Sequence, residues 1–308
     1  MAKYDISDEF KLFKNFKPKF NRSMINNFNK LLKTPSWLKK DKELNVKSRF
    51  LKGDNDKFEV LIISLKDIDD NAPCLFFIHG GAFIIHANEH HYKEAAIYAK
   101  VCKVKVIFVK YNLATNNQIL TPLNDSFIAF KWMLDNIKEL NIDKNRIGLI
   151  GDSAGGNISA SLYLKLKKEN INIKFKFLML LYPFLDYTFS SESSKKYLDT
   201  PMWNSNMSKR LFEVYDFNNI KKEEHVFISP ILNKDYKNYP PTYIESCEFD
   251  PLHDDAINYY KILKDNNVKV HLNETKYTMH GFDIVMNSTI TICNLFIRIE
   301  YIKRQFSK

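Results

Sequence analysis

From residue 73 onward, short apolar runs alternate with longer amphipathic ones, and this alternation constrains the chain more than any other feature. Residues 75–78 predict a buried strand, 93–102 a helix, 104–109 a strand, 124–139 a helix, 147–150 a strand, 154–168 a helix and 174–182 a strand. The pattern lapses between 183 and 241, where short helices are expected, and then resumes. A strand at 242–247, a helix at 253–266, a strand at 269–272 and a closing helix at 289–306 complete it. Strands that alternate with helices in this way form a mostly parallel sheet covered on both faces, which makes the fold class α/β.

Ahead of that core, Phe10, Leu12, Phe13, Phe16, Phe20, Met24, Ile25, Phe28, Leu31 and Leu32 recur close to helical spacing. One or two amphipathic helices are expected before Pro35. Residues 46–51 and 58–65 flank Gly53-Asp54-Asn55-Asp56 and predict a hairpin of two edge strands.

The 308 residues hold 45% hydrophobic and 27% charged side chains, which excludes a disordered or collagen-like chain. The longest apolar stretch is about half the roughly 20 residues that a membrane span needs, and the first residues build no apolar signal-peptide centre. A cytoplasmic protein without stable membrane insertion is the expectation. Cys74, Cys102, Cys247 and Cys293 are scattered and are read as reduced thiols, neither bridges nor metal ligands. The first 60 residues carry 15 Lys+Arg against 8 Asp+Glu out of a whole-chain net charge of +10. Such an arm could meet nucleic acid or an anionic membrane. A solvated helical face is the preferred reading, because acids are interspersed and no run of five like charges occurs.

The chain has only eight glycines, under half of the roughly 7% that is usual, so their positions are informative. Six fall in three short clusters. The central one, Gly151-Asp152-Ser153-Ala154-Gly155-Gly156-Asn157, lies between a predicted strand and a predicted helix. A serine on such a turn projects above the sheet, and the helix aims its N-terminal amides where negative charge would develop. His79-Gly80-Gly81-Ala82-Phe83 follows another strand and lets main-chain N–H groups approach an oxyanion. Gly80, Gly81, Ala82 and Ala154 are the candidate donors, and His79 is expected to brace this loop. The third cluster, His280-Gly281-Phe282, supplies a candidate base, and Asp250 sits past the strand at 242–247. Asp254 and Asp255 are better placed to cap the next helix. His86, His90, His91, His225, His253 and His271 are taken as surface or loop residues; His90-His91 has no carboxylate at metal-site spacing in the sequence.

The order Ser153, Asp250, His280, with these loops, resembles the hormone-sensitive-lipase-like branch of the α/β-hydrolases, from about residue 45 to the C-terminus. The resemblance implies an α/β-hydrolase fold, a segment at 1–45 forming an N-terminal helical cap, a catalytic domain at 46–308 and a cap insertion at about 185–238. It further implies a serine carboxylesterase that hydrolyses a small-molecule ester of short acyl chain, through Ser153, His280 and Asp250, with no cofactor and no metal. Phe83 is a candidate substrate contact. An acyl limit of about six to eight carbons is expected from pocket size. No nucleic-acid partner is expected, and a homodimer is left open. Two departures from the family pattern stand out: Ala82 replaces a third glycine, and Tyr111-Asn112-Leu113-Ala114-Thr115-Asn116 lacks the usual arginine after its tyrosine. An amidase or peptidase on the same triad, and a non-catalytic receptor, are the alternatives.

Overall fold

The computed structural model describes residues 3–16, 21–54, 56–114, 118–213 and 220–307. Phe20, Asn55, Thr115, Asn116 and Tyr215, named above, lie outside the described residues. Eight strands form one sheet: β1 (Leu44–Lys52), β2 (Lys57–Leu65), β3 (Ala72–Ile78), β4 (Lys105–Lys110), β5 (Ile142–Asp152), β6 (Phe177–Leu181), β7 (Thr242–Phe249) and β8 (Val270–Met279). Their order is β1-β2-β4-β3-β5-β6-β7-β8, antiparallel for the first two pairings and parallel for the rest. The expected hairpin therefore forms, but β2 is not an edge strand: it lies between β1 and β4. Its burial explains this, since Val60, Leu61 and Ile63 are all fully buried where an edge strand would expose one face.

Central strands are continuously apolar because they feed two cores. On β3, Cys74, Phe76 and Ile78 face one core while Leu75 and Phe77 face the other, following the two-residue period of a strand. Helices α1 (Arg22–Leu31) and α2 (Ser36–Lys40) precede the sheet, and α3 (Glu89–Val101), α4 (Thr121–Asp135) and α5 (Ala154–Lys168) cover its first half. The insertion contains α6 (Glu192–Lys196), α7 (Ser205–Glu213) and short 3-10 turns at Lys222–Phe227 and Pro230–Leu232. Helices α8 (His253–Asp265) and α9 (Thr289–Phe306) complete the chain.

The N-terminal segment departs from a regular helical hairpin. Among the described residues of its first half, a 3-10 turn, Asp8–Phe10, is the helical element, and Phe10 is fully buried against Phe282. Helix α1 buries no residue fully. Ile25 packs partly buried against the core, and the Asn29 amide donates to Ile84 O (2.8 Å) and accepts from His86 N–H (3.0 Å).

The missing loop arginine has a measurable trace. Asn112 takes its place, donating its N–H to Asp125 Oδ2 (2.8 Å) and its side-chain amide to Asp56 O (3.1 Å). Among the described residues no Lys or Arg forms an ion pair with Asp125, and its buried Oδ1 has no hydrogen-bond partner. Burial pushes this carboxyl up to about 6. A raised carboxyl favours the folded state fully below its ordinary range near 4, and that contribution is lost as pH rises through 6. Asp125→Asn is thus expected to stabilise the protein at pH 8, by up to about 3 kcal/mol, and to do little at pH 4.5. Urea unfolding at the two pH values checks this; an equal effect at both would refute it.

Candidate active site

Ser153, Asp250 and His280 each occupy the first position after a parallel strand: β5 ends at Asp152, β7 at Phe249 and β8 at Met279. A register shift between Cys247 and Phe249 brings Phe249 opposite Met279, so the two following residues emerge side by side. The acid and the imidazole meet for that reason. Ser153 Oγ lies 2.8 Å from His280 Nε2, and His280 Nδ1 lies 2.7 Å from Asp250 Oδ2. Asp250 is fully buried, and its Oδ1 accepts the Leu252 N–H at 2.9 Å. Both carboxylate oxygens are thereby fixed, and the imidazole with them.

The elbow is strained, as its motif requires. Ser153 has φ 52° and ψ −118°, a conformation that costs a non-glycine residue of order 1–3 kcal/mol. Its N–H donates to Leu181 O (2.8 Å), and its own carbonyl accepts from Asn157 and Phe184, which together hold the turn in place. Close approach explains Gly155, where a Cβ would come within 2.0 Å of Ile78 O.

Around the loop at 79–83 the sequence reading needs two corrections. The Gly80 N–H donates to Asp152 Oδ1 at 2.8 Å, so it is committed and is removed from the oxyanion donors. Gly80 is required for packing instead: a Cβ there would lie 2.1 Å from Asp152 Oδ2. Gly81 and Ala82 line the cavity beside Ser153, and Ala82, Phe83 and Ala154 line a second, smaller space. Ala82, in the family's glycine position, takes φ 53°. His79 braces the loop as expected, its Nδ1 2.6 Å from Gly80 O and its ring stacked on Tyr111.

The second correction concerns His90 and His91, neither of which is a simple surface residue. His91 is buried, its Nδ1 accepts the Asn88 N–H (2.9 Å) and its Nε2 faces Asp152 Oδ2 at 3.1 Å. Burial opposes the Asp152 carboxylate, yet His91 holds it well below the usual range. The His90 ring lies tilted by 36° against His91, with ring centroids 3.8 Å apart, and burial pushes its imidazole down to about 3. The carboxylate that the sequence spacing did not offer comes from Asp152, and the three residues bring ligand-type atoms within 4.8 Å of one another. With both His91 nitrogens engaged, the cluster is a brace from α3 to the elbow. The Asp254 carboxylate likewise accepts from Ser193 N–H of α6 (2.7 Å) rather than capping its own helix.

Sequence reasoning missed a buried ionic network beneath His280. Tyr182, 5.1 Å from the His280 ring, donates to Asp283 (2.6 Å). Arg298 donates to Asp283 (2.9 Å), to Glu245 (2.5 Å) and to Glu94 (2.8 Å), and all four charged groups are at most 2% exposed. Burial pushes the Glu94 carboxyl well above its ordinary range against the pull of Arg298. The available signal was a charge inside each of three apolar elements.

A family model described as the alpha/beta hydrolase fold matches residues 75–284, and every motif above lies within that span. The chain belongs to this family. Its hormone-sensitive-lipase-like character, inferred from the motifs, holds. The carboxylesterase NlhH of Mycobacterium tuberculosis is 29% identical over 218 residues, covering 70% of this chain and 68% of the relative. An arylesterase of Saccharolobus solfataricus is 29% identical over 212 residues, 69% of each chain. The solved structure of a bacterial heroin esterase superposes with a TM-score of 0.85 over 98% of both chains at 24% identity, which shows the shared fold. Among the described residues, no helix is long and apolar enough to cross a membrane.

Proposed function

We propose that this α/β-hydrolase is a serine carboxylesterase acting on esters of very short acyl chain. The observation that carries the reading is the 2.8 Å approach of Ser153 Oγ to His280 Nε2 at a strained elbow. Ser153 Oγ attacks the ester carbonyl while His280 Nε2 takes its proton, and the buried Asp250 carboxylate stabilises the imidazolium. The carbonyl oxygen gains the negative charge beside the Gly81, Ala82 and Ala154 amides. Collapse expels the alcohol, which receives the proton from His280, and leaves an acyl-serine. Water, deprotonated by the same imidazole, releases the acid and restores Ser153. The names of the two curated relatives above, a carboxylesterase and an arylesterase, support ester chemistry.

Acyl length follows from the space. Two cavities meet at Ser153 and share Ala82 and Trp203. One, about 130 Å³, is lined by Ile85, Asn88, His90, Tyr182, Met202 and Ile284 and leaves room for the alcohol group. The other, about 10 Å³, is walled by Phe83, Phe184, Leu211 and Phe212. A space of that size admits about one water-sized group, so it fits an acetyl methyl. This limit is shorter than the six to eight carbons expected from sequence. Phe83 serves the acyl side.

Two measurements test the reading. A fluorophosphonate should add its phosphonyl group to Ser153, detected by mass spectrometry; an unlabelled Ser153 in folded protein favours a non-catalytic receptor. A p-nitrophenyl ester series should show kcat/KM highest for acetate and at least 100-fold lower for octanoate. Phe212→Ala, by opening the smaller space, should recover at least tenfold of that loss. A profile rising to octanoate in the parent would overturn the acyl assignment, and faster turnover of a matched acetanilide would favour the amidase.

A further inference from the structure

Nine of the ten net positive charges of this chain fall on a segment that carries several of its most exposed apolar side chains. Residues 10–40 contain nine Lys and Arg and no Asp or Glu, so the remaining residues sum to only +1 of the net +10. The acids of the first 60 residues lie on either side of this stretch, and the interspersion that favoured a plain solvated face does not apply within it. The same stretch exposes Leu12 (82%), Phe16 (50%), Met24 (64%), Phe28 (45%) and Leu31 (77%).

Helix α1 shows that this exposure is ordered. Met24, Phe28 and Leu31 recur at i, i+4 and i+7 and form one apolar stripe, which would ordinarily face a core. Here that stripe faces outward, while Ile25, partly buried against the core, and the polar Asn29, clamped to the loop that follows the oxyanion donors, face the body. A ten-residue helix with no fully buried residue and Ile25 alone, among its described apolar residues, packed on the core gains little from packing in water, so its outward apolar face calls for a partner. Exposed Lys11, Lys30, Lys33, Lys39 and Lys40 belong to the same segment. Apolar side chains on one side with an acid-free basic surround are the signature of a helix that lies in the interface of an anionic bilayer.

The location of this surface gives it a role. Phe16 O accepts the N–H of Met202, which lines the larger cavity, and Asn29 grips Ile84 and His86 beyond the loop at 79–83. We propose that residues 10–16 and 21–40 dock the protein peripherally on an anionic lipid surface and place the mouth of the larger cavity against it. The surface-docking part stands without the esterase reading; its consequence, preference for amphiphilic esters carried in that surface, rests on it.

Co-sedimentation with vesicles tests the docking without any turnover. Parent protein should pellet with phosphatidylcholine vesicles containing 30% phosphatidylglycerol and stay in solution with phosphatidylcholine alone. Raising salt from 50 to 500 mM should weaken binding at least tenfold. Two double variants, Phe28→Ser with Leu31→Ser and Lys30→Glu with Lys33→Glu, should each lose at least tenfold in affinity. All four residues are exposed, and unchanged far-UV circular dichroism would establish folding. No pelleting of the parent, equal pelleting of both variants, or a parent dimer in sedimentation velocity that dissociates in the Phe28/Leu31 variant would overturn the proposal. If vesicles bind but an amphiphilic acetate ester is not turned over, the docking stands and the esterase reading fails.

Discussion

Ser153→Ala is expected to lower kcat on p-nitrophenyl acetate by about 10⁶ while leaving the fold intact. A residual acceleration over water of about 10³–10⁴ should remain from oxyanion stabilisation and binding. The hydroxyl makes one bond, to His280 Nε2, whereas the turn is held by main-chain bonds from Ser153 N–H to Leu181 O and from Asn157 and Phe184 to Ser153 O. Alanine keeps all of those and inherits the strain at φ 52°. Ser153→Gly makes the complementary case, since glycine tolerates that conformation: it should be equally inactive yet about 1 kcal/mol more stable than the alanine variant. Steady-state kinetics and urea unfolding of both proteins give the answer. A kcat within tenfold of the parent in either variant would remove Ser153 as nucleophile.

The next largest effect is expected from Asp250→Asn, a loss of about 10⁴ in kcat. Its size follows from two fixed hydrogen bonds. The Leu252 N–H requires an acceptor at the Oδ1 position, so the asparagine must place its carbonyl there and its NH₂ toward His280 Nδ1. Nδ1 then accepts rather than donates, and the imidazole proton moves to Nε2, facing Ser153 Oγ. A base that already carries a proton on its working nitrogen cannot take another from the serine. Near-parent stability with a loss of less than 100-fold would show that Asp250 does not set the tautomer.

Much of this was legible in the chain because the decisive signals are local. Residues 154–168 and 289–306 form helices with those bounds, and the three glycine-marked loops converge at the carboxyl ends of the strands. A glycine in a glycine-poor chain reports backbone geometry directly, which is why Gly155 and Gly80 pointed to the right turns. What stayed hidden depends on partners distant in sequence. The commitment of the Gly80 N–H arises 72 residues away, at Asp152. His90 and His91, on α3, looked like loop residues because Asp152, which gives His91 its role, is contributed by strand β5, 61 residues away. Strand β8 runs to Met279, well beyond the expected end near Leu272, since Asn273, Lys276 and Tyr277 are polar or exposed and carry no hydrophobic alternation. The N-terminal aromatics followed helical spacing, but spacing says which residues share a face and nothing about which way that face turns.

Arg298 also sets an order of events in the making of the protein. Its guanidinium is the last-synthesised member of a network whose first member, Glu94, emerges 204 residues earlier, and it alone neutralises the Glu245 and Asp283 carboxylates packed under Tyr182 and His280. Before it arrives, burying those acids together would be strongly unfavourable, since removing one partner of such a pair costs about 3–5 kcal/mol. A nascent chain that has already exposed Ser153, Asp250 and His280 therefore lacks the support on which the imidazole rests. Docking of helix α9 becomes the step that assembles this support, so a chain that stops short of residue 298 carries Ser153, Asp250 and His280 without the network beneath the imidazole.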